Sequence, residues 1–310
     1  MPYTLTQFKS KVSEIVQDDA AKLTSTERDG FIQEAMKIYS KHRPRDVVRE
    51  FAGNGTYDYA FITYLKSWVK DFSTLLKVEY PADERDPEYV DEDDFTIVTK
   101  AAGQYLRFLA DTPPATETIR VIYTALHLLI DAVVTISIAT PAVIGYVAHG
   151  LNLGDAIKFA TTGALPTGIT AGAIYYIIAD GLTANAFEIS ATPGGAAINT
   201  SGTQSGTHTL GFSTIPAIDE DAVANLAASL CSGALASAYA QASDSTITAD
   251  SVDHKSKSQE YASRARIQKQ NYLNHIGLKE GDVAPASVIK DFDIGYPDGT
   301  DRLTHPRRSR

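Results

Sequence analysis

The sequence has a single cysteine, and it lies at a position where no reaction of its thiol is expected. Cys231 is the single cysteine among 310 residues, so no disulfide can form within the chain and no thiolate cluster can bind a metal. Its neighbours are alanine, serine and leucine at helical spacing, which predicts a buried and unreactive thiol. A chain without disulfides is compatible with assembly in a reducing cytoplasm.

The motifs of the common enzyme classes are absent as well. The sequence contains no GxSxG, HExxH, Walker or GxGxxG pattern, and its seven histidines include no pair at metal-ligand spacing. His127 and His149 lie in apolar, strand-like surroundings that favour hydrogen-bonded structural histidines. The acidic run from Asp83 to Asp94 lacks the central glycine and terminal glutamate of an EF-hand, which favours a solvated loop over a calcium site. We therefore expect no enzyme, no cofactor and no metal site.

Positive charge is scarce, and long apolar runs are rare. Acidic residues outnumber lysine and arginine by 38 to 28, and the net charge of −10 argues against a free-standing nucleic-acid-binding face. The first ten residues contain no apolar segment typical of a signal peptide. Ala132–Gly154 is uncharged and of transmembrane length, but it alternates with period two and carries polar residues, which predicts strands. We expect no membrane contact.

Helical periodicity marks both ends of the chain. Capping boxes at Thr4 with Gln7 and at Thr24 with Glu27 predict two N-terminal helices, the second stopped by Pro44. Two longer helices are predicted from Asp219 to Ala242 and from Asp250 to Ile276, joined as an antiparallel hairpin.

Between these helices the apolar period changes to two. VVREF and YDYAF flank Gly53, Asn54 and Gly55, which predicts a β-hairpin. Further strands are predicted at Phe72–Tyr80, Phe95–Thr99, Tyr105–Leu109 and Thr118–Thr124.

From about residue 132 to residue 208 the composition shifts to threonine, alanine, glycine and isoleucine. Short strands are predicted at Val134–Ile138, Val143–Val147, Ile157–Phe159, Ile174–Ile178 and Phe187–Ile189. Strands at this spacing are typical of a small closed barrel or sandwich. The segment looks inserted, because Ile119–Thr124 and Phe212–Ile215 on either side of it are expected to be neighbouring strands of a host domain.

The predicted fold class is therefore α+β: a helical domain with an antiparallel β portion and an inserted small β-barrel or sandwich module. We divide the chain into four parts. Residues 1–131 are the first part of the host, 132–209 the inserted β domain, 210–281 the host's helical hairpin, and 282–310 an extended C-terminal tail.

The first long helix carries a row of small residues four positions apart. A helix with such a row can approach another backbone closely, and a helix that is apolar on most of its surface is buried on most of its surface. Two interpretations stay open: an interface between subunits, and an ordinary alanine-rich core helix. The row consists of Ala224, Ala228, Ser232, Ala236 and Ala240.

The C-terminal tail is basic although the protein is acidic. Its arginines are suited to phosphate or to an acidic groove, whereas a frayed, solubilising end is the alternative. Aromatic residues ahead of the arginines favour docking. The docking hypothesis names Phe292, Tyr296, Arg302, His305, Arg307, Arg308 and Arg310.

Several long stretches resemble the head–tail connector, or adaptor, proteins of tailed bacteriophages. The host parts are similar to them through FIQEAMKIYSKHRPRDVV, VEYPADERDPEYVDEDDF, LRFLADTPPATETIRVIYTALH, DEDAVANLAASLCSGALASAYAQASDSTITADSVDHKSKSQEYASRA and DRLTHPRR. The inserted segment is similar to a small β module of phage virion proteins through TTGALPTGITAGAIYYIIADGLTANAFEIS and GGAAINTSGTQSGTHT. Compact connectors lack this insertion.

The resemblance implies a non-enzymatic structural protein of the virion neck, assembled in the bacterial host cytoplasm. It implies a homo-oligomeric ring of about twelve copies around a DNA channel. Its expected partners are the portal protein, a stopper or tail-completion protein, and genomic DNA that passes without sequence-specific contact. The C-terminal tail is expected to dock on the portal.

A phage surface or tail protein whose β module binds host carbohydrate is the alternative function. Aromatic side chains in the threonine-rich module would stack on sugar rings, although aromatic residues at strand spacing more often pack in a core. The residues in question are Tyr146, Tyr175, Tyr176 and Phe187. A cell-wall hydrolase ranks third, because no acid, base and nucleophile converge in the sequence.

Overall fold

The protein is known from a computed structural model, which describes residues 3–82, 84, 89–91, 93–110, 112–241 and 254–279. Over these residues the fold is mixed α and β with antiparallel sheets, as the sequence predicts. The predicted tail, 282–310, and half of the acidic run from Asp83 to Asp94 lie outside the described residues.

The four longer helices lie at the positions that periodicity and caps predict, whereas the short helix at Phe61–Tyr64 was not predicted. Thr4 and Thr24 both accept the backbone N–H three residues on, and Gln7 and Glu27 reach back to the cap, so both capping boxes are confirmed. The helices are α1 (Leu5–Val16), α2 (Ser25–His42), α3 (Phe61–Tyr64), α4 (Glu220–Gln241) and α5 (His254–Ile276).

Two small sheets occupy the first half of the chain. The described strands there pair antiparallel in the orders β1-β6-β3 and β2-β5-β4. Four of the predicted strands are confirmed as β3, β4, β5 and β6. The strands are β1 (Arg45–Ala52), β2 (Asp58–Ala60), β3 (Leu75–Glu79), β4 (Phe95–Lys100), β5 (Gly103–Phe108) and β6 (Thr118–Ala125).

The second half contains a larger sheet, called here the β module (residues 129–213). Its order is β11-β8-β7-β13-β9-β10-β12, and every described ladder in it is antiparallel. The strands are β7 (Leu129–Ile136), β8 (Ile144–Gly145), β9 (Ala156–Thr161), β10 (Ile174–Ile177), β11 (Ala186–Phe187), β12 (Ile189–Ser190) and β13 (His208–Ser213).

The β module does not close into a barrel, which is one of the two forms that the strand spacing predicts. Only Glu188 separates the edge strands β11 and β12 in the chain. On one side of it β11 pairs with β8, and on the other side β12 pairs with β10. Among the described ladders none joins β11 to β12. The predicted module boundaries at 132 and 209 fall inside β7 and β13, which pair from Leu129 with Ser213 to Val134 with His208.

The predicted hairpin at Gly53 is wrong. β1 pairs with β6 and β2 pairs with β5, so the two strands lie in different sheets. The glycine instead permits a close approach, since a Cβ at Gly53 would lie 2.3 Å from the carbonyl oxygens of Pro113 and Pro114. The glycine that predicted a turn is therefore needed for close backbone contact with the distant segment at Pro113 and Pro114.

The predicted pairing of the strands that flank the module is also wrong. β6 pairs with β1 and β3, whereas β13 pairs with β7 and β9. Three residues separate the end of β6 from the start of β7, and β7 lies beside β13. Its pairing with β13 satisfies backbone groups across the base of the module.

The uncharged stretch of transmembrane length is not a helix: it contains the end of β7 and all of β8, as its alternation predicts. Among the described helices, α4 is the one long and apolar enough to cross a membrane by length and composition. Buried residues make up 61% of its most apolar stretch, and the core helix of a soluble protein has the same property.

The buried side chains form three clusters. The first, called here the helical core, joins α1, α2, α4 and α5 and includes Phe8, Tyr39 and Tyr272. The second lies inside the β module between Val134 and Phe212. The third lies between the two small sheets.

Candidate functional site

The α4–α5 hairpin is antiparallel, as predicted, and much of α4 faces the chain's own helices. The Ser232 hydroxyl donates to Oε1 of Gln268 over 3.0 Å, and the Ser258 hydroxyl donates to the carbonyl of Ala236 over 2.8 Å. The Tyr239 and Tyr261 rings stack with centroids 5.6 Å apart. These contacts show that the close approach allowed by small residues is made with α5.

The row of small residues does not keep to one environment. Ala224, Ala228 and Ser232 have no exposed surface, Ala236 is half-buried, and Ala240 is exposed. Positions four apart rotate by about 40° per step on a helix with 3.6 residues per turn, so the row turns from the core to the surface. The first three residues therefore have no surface to offer a second copy. The interface role stays a prediction for Ala236 and Ala240.

A different stripe of α4 is only partly covered by the chain itself: its Leu230 and Ala234 pack against the helical core but are not fully buried. We call this stripe the assembly face, after the role proposed for it below. It has helical spacing, it is half-buried or exposed throughout, and it lies in a stretch without charge from Ala222 to Gln241. A Cβ built on Gly233 meets no atom within 4 Å, so the space above the helix is open there. The assembly face consists of Leu230, Gly233, Ala234, Ser237 and Gln241.

A buried carboxylate joins three helices at the start of α4. Asp219 is buried, and its carbonyl accepts the first hydrogen bond of α4 from Val223. Its carboxylate accepts the Tyr39 hydroxyl at 2.6 Å, Arg43 at 3.0 Å and Nε2 of His275 at 2.8 Å. Tyr39 and Arg43 come from the end of α2, and His275 comes from the last turn of α5. The cluster therefore fixes the ends of α2 and α5 against the start of α4.

The charges in this cluster favour an ionised Asp219. Burial opposes ionisation, but the hydrogen bonds from Tyr39, His275 and Arg43 outweigh it and hold the pKa of Asp219 below its ordinary value. Burial and the adjacent carboxylate raise the pKa of Tyr39, so its hydroxyl stays a donor. The positive end of the α4 dipole acts in the same direction on Asp219. The arrangement is that of a structural ion cluster in which one carboxylate accepts from three side chains.

The histidines that the sequence assigns to structural roles have them. Nε2 of His149 lies 2.8 Å from the Thr183 carbonyl, and Nδ1 accepts the Leu151 N–H at 3.0 Å. The ring nitrogens of His127 lie 2.9 Å and 3.0 Å from the carbonyls of Thr214 and Arg43, and burial lowers its pKa. Both rings hold loops together.

The predicted buried thiol is confirmed. Cys231 is fully covered, and burial raises the pKa of its thiol to about 12. At neutral pH almost no thiolate is present, and the thiolate is the nucleophile. Among the described residues, no three His, Cys, Asp or Glu side chains gather as metal ligands.

The β module is held to the helices through the first turn of α1. The Asp131 carboxylate of β7 accepts the Leu5 and Thr6 N–H groups at 3.1 and 2.9 Å, and the Thr6 hydroxyl at 2.7 Å. These N–H groups have no partner within their helix, so a side chain of the module completes the cap.

The aromatic residues of the carbohydrate hypothesis do not form an exposed platform. Tyr175 and Phe187 are buried in the module core, and Tyr146 and Tyr176 are half-buried. Core packing is therefore the role of two of the four. The predicted docking residues of the tail, from Phe292 to Arg310, lie outside the described residues.

Comparison of this chain with protein-family models, with curated proteins and with solved structures finds no match. The resemblance to phage adaptors therefore stands on the sequence stretches quoted above. The function that it implies is taken up below as a proposal.

Sequence patterns missed the Asp219 cluster and the assembly face. The donors to Asp219 lie up to 180 positions away, so no local spacing identifies them. An aspartate just before an apolar helix signals only an N-cap. For the assembly face the sequence gives only a weak indication. The absence of charge along α4 is visible in it, but which side of the helix is covered is not.

Proposed function

We propose that this chain is a structural protein of a phage neck: a ring-forming head–tail adaptor that docks on the portal and links it to a stopper or tail-completion protein. The observation that carries the proposal is that the incompletely covered surface of α4 from Leu230 to Gln241, which includes the assembly face, carries no charge, since solvent-facing helix surfaces are ordinarily charged. The resemblance to connector proteins supplies the biological setting.

In this proposal the assembly face of one copy packs against a different surface of the next copy. Such head-to-tail contacts generate a closed ring when the rotation between copies closes. The net charge of −10 keeps the wall of a channel from binding DNA phosphates. The basic tail, Arg302–Arg310, supplies the opposite charge for docking on the portal.

The ring is tested with one charged substitution on the assembly face. Ser237→Glu places a charge on an exposed position, so we expect ring formation to be lost while the free energy of unfolding changes by less than about 0.5 kcal/mol. Ser10→Glu is the matched control, because Ser10 is also an exposed helical serine, on α1. Native mass measurement of each protein, alone and with portal, gives the result.

Two outcomes would reject parts of this proposal. Normal rings of the Ser237→Glu protein would remove the assembly face from the interface. A wild-type protein that stays monomeric with portal present would reject the adaptor role itself.

Docking of the tail is tested by removing Arg302–Arg310. We expect the shortened protein to lose portal binding, and we expect binding by the full chain to weaken as salt rises. Portal binding by the shortened protein at the wild-type level would eliminate the docking hypothesis.

A further inference from the structure

Two arginines lie on the side of the first small sheet that faces a buried apolar cluster. Arg45 and Arg49 alternate with Val47 along β1, so the three side chains share one side of the strand. Across the ladder, Val47 lies opposite Tyr123, which has no exposed surface. Tyr123 is therefore the diagonal neighbour of both arginines, at about 7–8 Å between Cα atoms, a separation that long side chains can bridge.

An arginine on the other side of the same sheet has the partners that these two lack. Arg120 forms ion pairs with Glu50 at 2.6 Å and with Glu79 at 2.8 Å. Within the part of the chain that the structure describes, no carboxylate forms such a pair with Arg45 or Arg49. The two inward-facing guanidinium groups are therefore not neutralised by a direct contact.

Three donor groups in this place are buried without a hydrogen-bond partner among the described residues. They are Nε of Arg45, Nε of Arg49 and the hydroxyl of Tyr123. Buried polar groups are ordinarily hydrogen-bonded, because the loss of water without a replacement is costly. Both arginines are half-buried, and their terminal nitrogens are not among the buried unpartnered atoms, so these nitrogens meet water. An acceptor that arrives from solvent can therefore reach both side chains.

The charge at this place is positive although the protein as a whole is acidic. Asp155, just before β9, acts electrostatically on Arg45 and Arg49, but its carboxylate accepts the Asn152 N–H at 2.6 Å instead. Burial raises the pKa of Asp155, which opposes its negative charge. Burial also lowers the pKa of Arg45, yet an arginine stays protonated near neutral pH. Two positive groups thus face one carboxylate whose ionised form is disfavoured.

We propose that Arg45, Arg49 and Tyr123 bind a tetrahedral oxyanion, either inorganic phosphate or the phosphoryl group of a larger molecule. The two guanidinium groups are planar forks that match pairs of its oxygens, and the Tyr123 hydroxyl is a third donor. A carboxylate has only two oxygens, whereas three separate donor side chains suit an anion with more. The nearby Asp155 opposes the anion and limits its affinity. This site does not depend on the ring or on portal docking.

Calorimetric titration of the full chain with inorganic phosphate tests the site, with ionic strength held constant by chloride. We expect Arg45→Gln and Arg49→Gln each to weaken phosphate binding about tenfold, because each removes a charged donor. Arg266→Gln is the matched control, since Arg266 is an exposed arginine on α5 and its loss changes the net charge equally. The control should bind phosphate as the wild type does.

Asp155→Asn should change the affinity in the opposite direction. It removes the opposing carboxylate, so we expect phosphate to bind at least about threefold more tightly. A variant that merely unfolds would not show this gain, which keeps the test informative if an arginine variant is unstable.

Three results would overturn the proposal: no binding of phosphate in the millimolar range, equal weakening by Arg45→Gln and Arg266→Gln, or acetate binding as tight as that of phosphate. A parallel titration with glycerol phosphate identifies the source of the anion. Tighter binding of the ester would support a phosphoryl group of a larger molecule, and tighter binding of inorganic phosphate would support the free ion. Ring formation and portal binding, measured separately, do not enter this result.

Discussion

The helical core and the β module bury polar groups in different ways. The helical core contains an ionised carboxylate, Asp219, shared by side chains of two other helices. The module's buried polar groups, such as His149 and Thr200, are bonded largely to nearby backbone: the Thr200 hydroxyl donates to the Ser137 carbonyl at 2.7 Å. The module therefore depends mainly on apolar packing, whereas the helical core combines apolar packing with one shared buried charge.

The largest expected effect comes from the module's apolar core. Phe159 is 1% exposed and its ring centroid lies 5.9 Å from that of Tyr175. Phe159→Ala should lower the free energy of unfolding by about 4 kcal/mol through lost burial and a cavity. Urea unfolding measures the change, which should be the same at neutral and mildly acidic pH. If the free energy of unfolding falls by less than about 1 kcal/mol, the side chains of the module core can move into the space left by the Phe159 ring.

The next effect is expected at the charge that joins the helices. Asp219→Ala leaves Tyr39, Arg43 and His275 without their shared acceptor, which should lower the free energy of unfolding by about 3 kcal/mol. Asp221→Ala, an exposed residue two positions on, is the control and should change little. Equal losses in the two variants would show that the cluster is dispensable.

A smaller effect distinguishes the buried and exposed sides of α4. Ala228 has no exposed surface, so Ala228→Leu should overpack the helical core and lower the free energy of unfolding by about 2 kcal/mol. Ser237→Leu, at an exposed position of the assembly face, should leave folding almost unchanged and impair ring formation instead. Thermal unfolding and native mass measurement separate the two results, and reversed effects would contradict the assignment of the faces.

The smallest effect concerns how stability depends on pH. Ionisation of a buried aspartate stabilises the helical core, whereas it destabilises the β module. The folded pKa of Asp219 is below its ordinary value of 3.8, so its stabilisation is complete above that pH and is lost as the pH falls through the folded pKa. Burial raises the pKa of Asp155 in the module, so its ionised form is penalised and the penalty disappears in acid.

We therefore expect Asp219→Asn to destabilise the protein at neutral pH, with a deficit that shrinks below about pH 4. Asp155→Asn should be at least as stable as wild type at neutral pH, and any advantage should shrink in acid. Urea unfolding across this pH range measures both. Parallel pH profiles of the two variants would show that the regions do not differ in this way.

Local signals in the sequence predicted local structure well. Thr4 and Thr24 define their helices because each cap is completed by a residue three positions on. β4 and β5 were located because alternation is visible within six residues, and their pairing partners lie next to each other in the chain. The α+β class follows from the sum of such signals.

Long-range signals failed where one residue type serves two purposes. Gly53 was interpreted as part of a turn, although its lack of a Cβ serves contact with Pro113. For the alanine row of α4 an interface and a core role both stayed open, because helical rotation carries the row from the core at Ala224 to solvent at Ala240. In both cases the deciding neighbour lies far away in the chain.

The sequence by itself determined the positions of the four longer helices, most strands and the buried state of Cys231, because capping, periodicity and apolar spacing act within a few residues. Only the tertiary structure decided which side of α4 is covered, that β7 rather than β6 lies beside β13, and that Asp219 binds Tyr39, Arg43 and His275. These contacts are set by packing between distant segments, and a local sequence pattern does not identify the segment that it packs against.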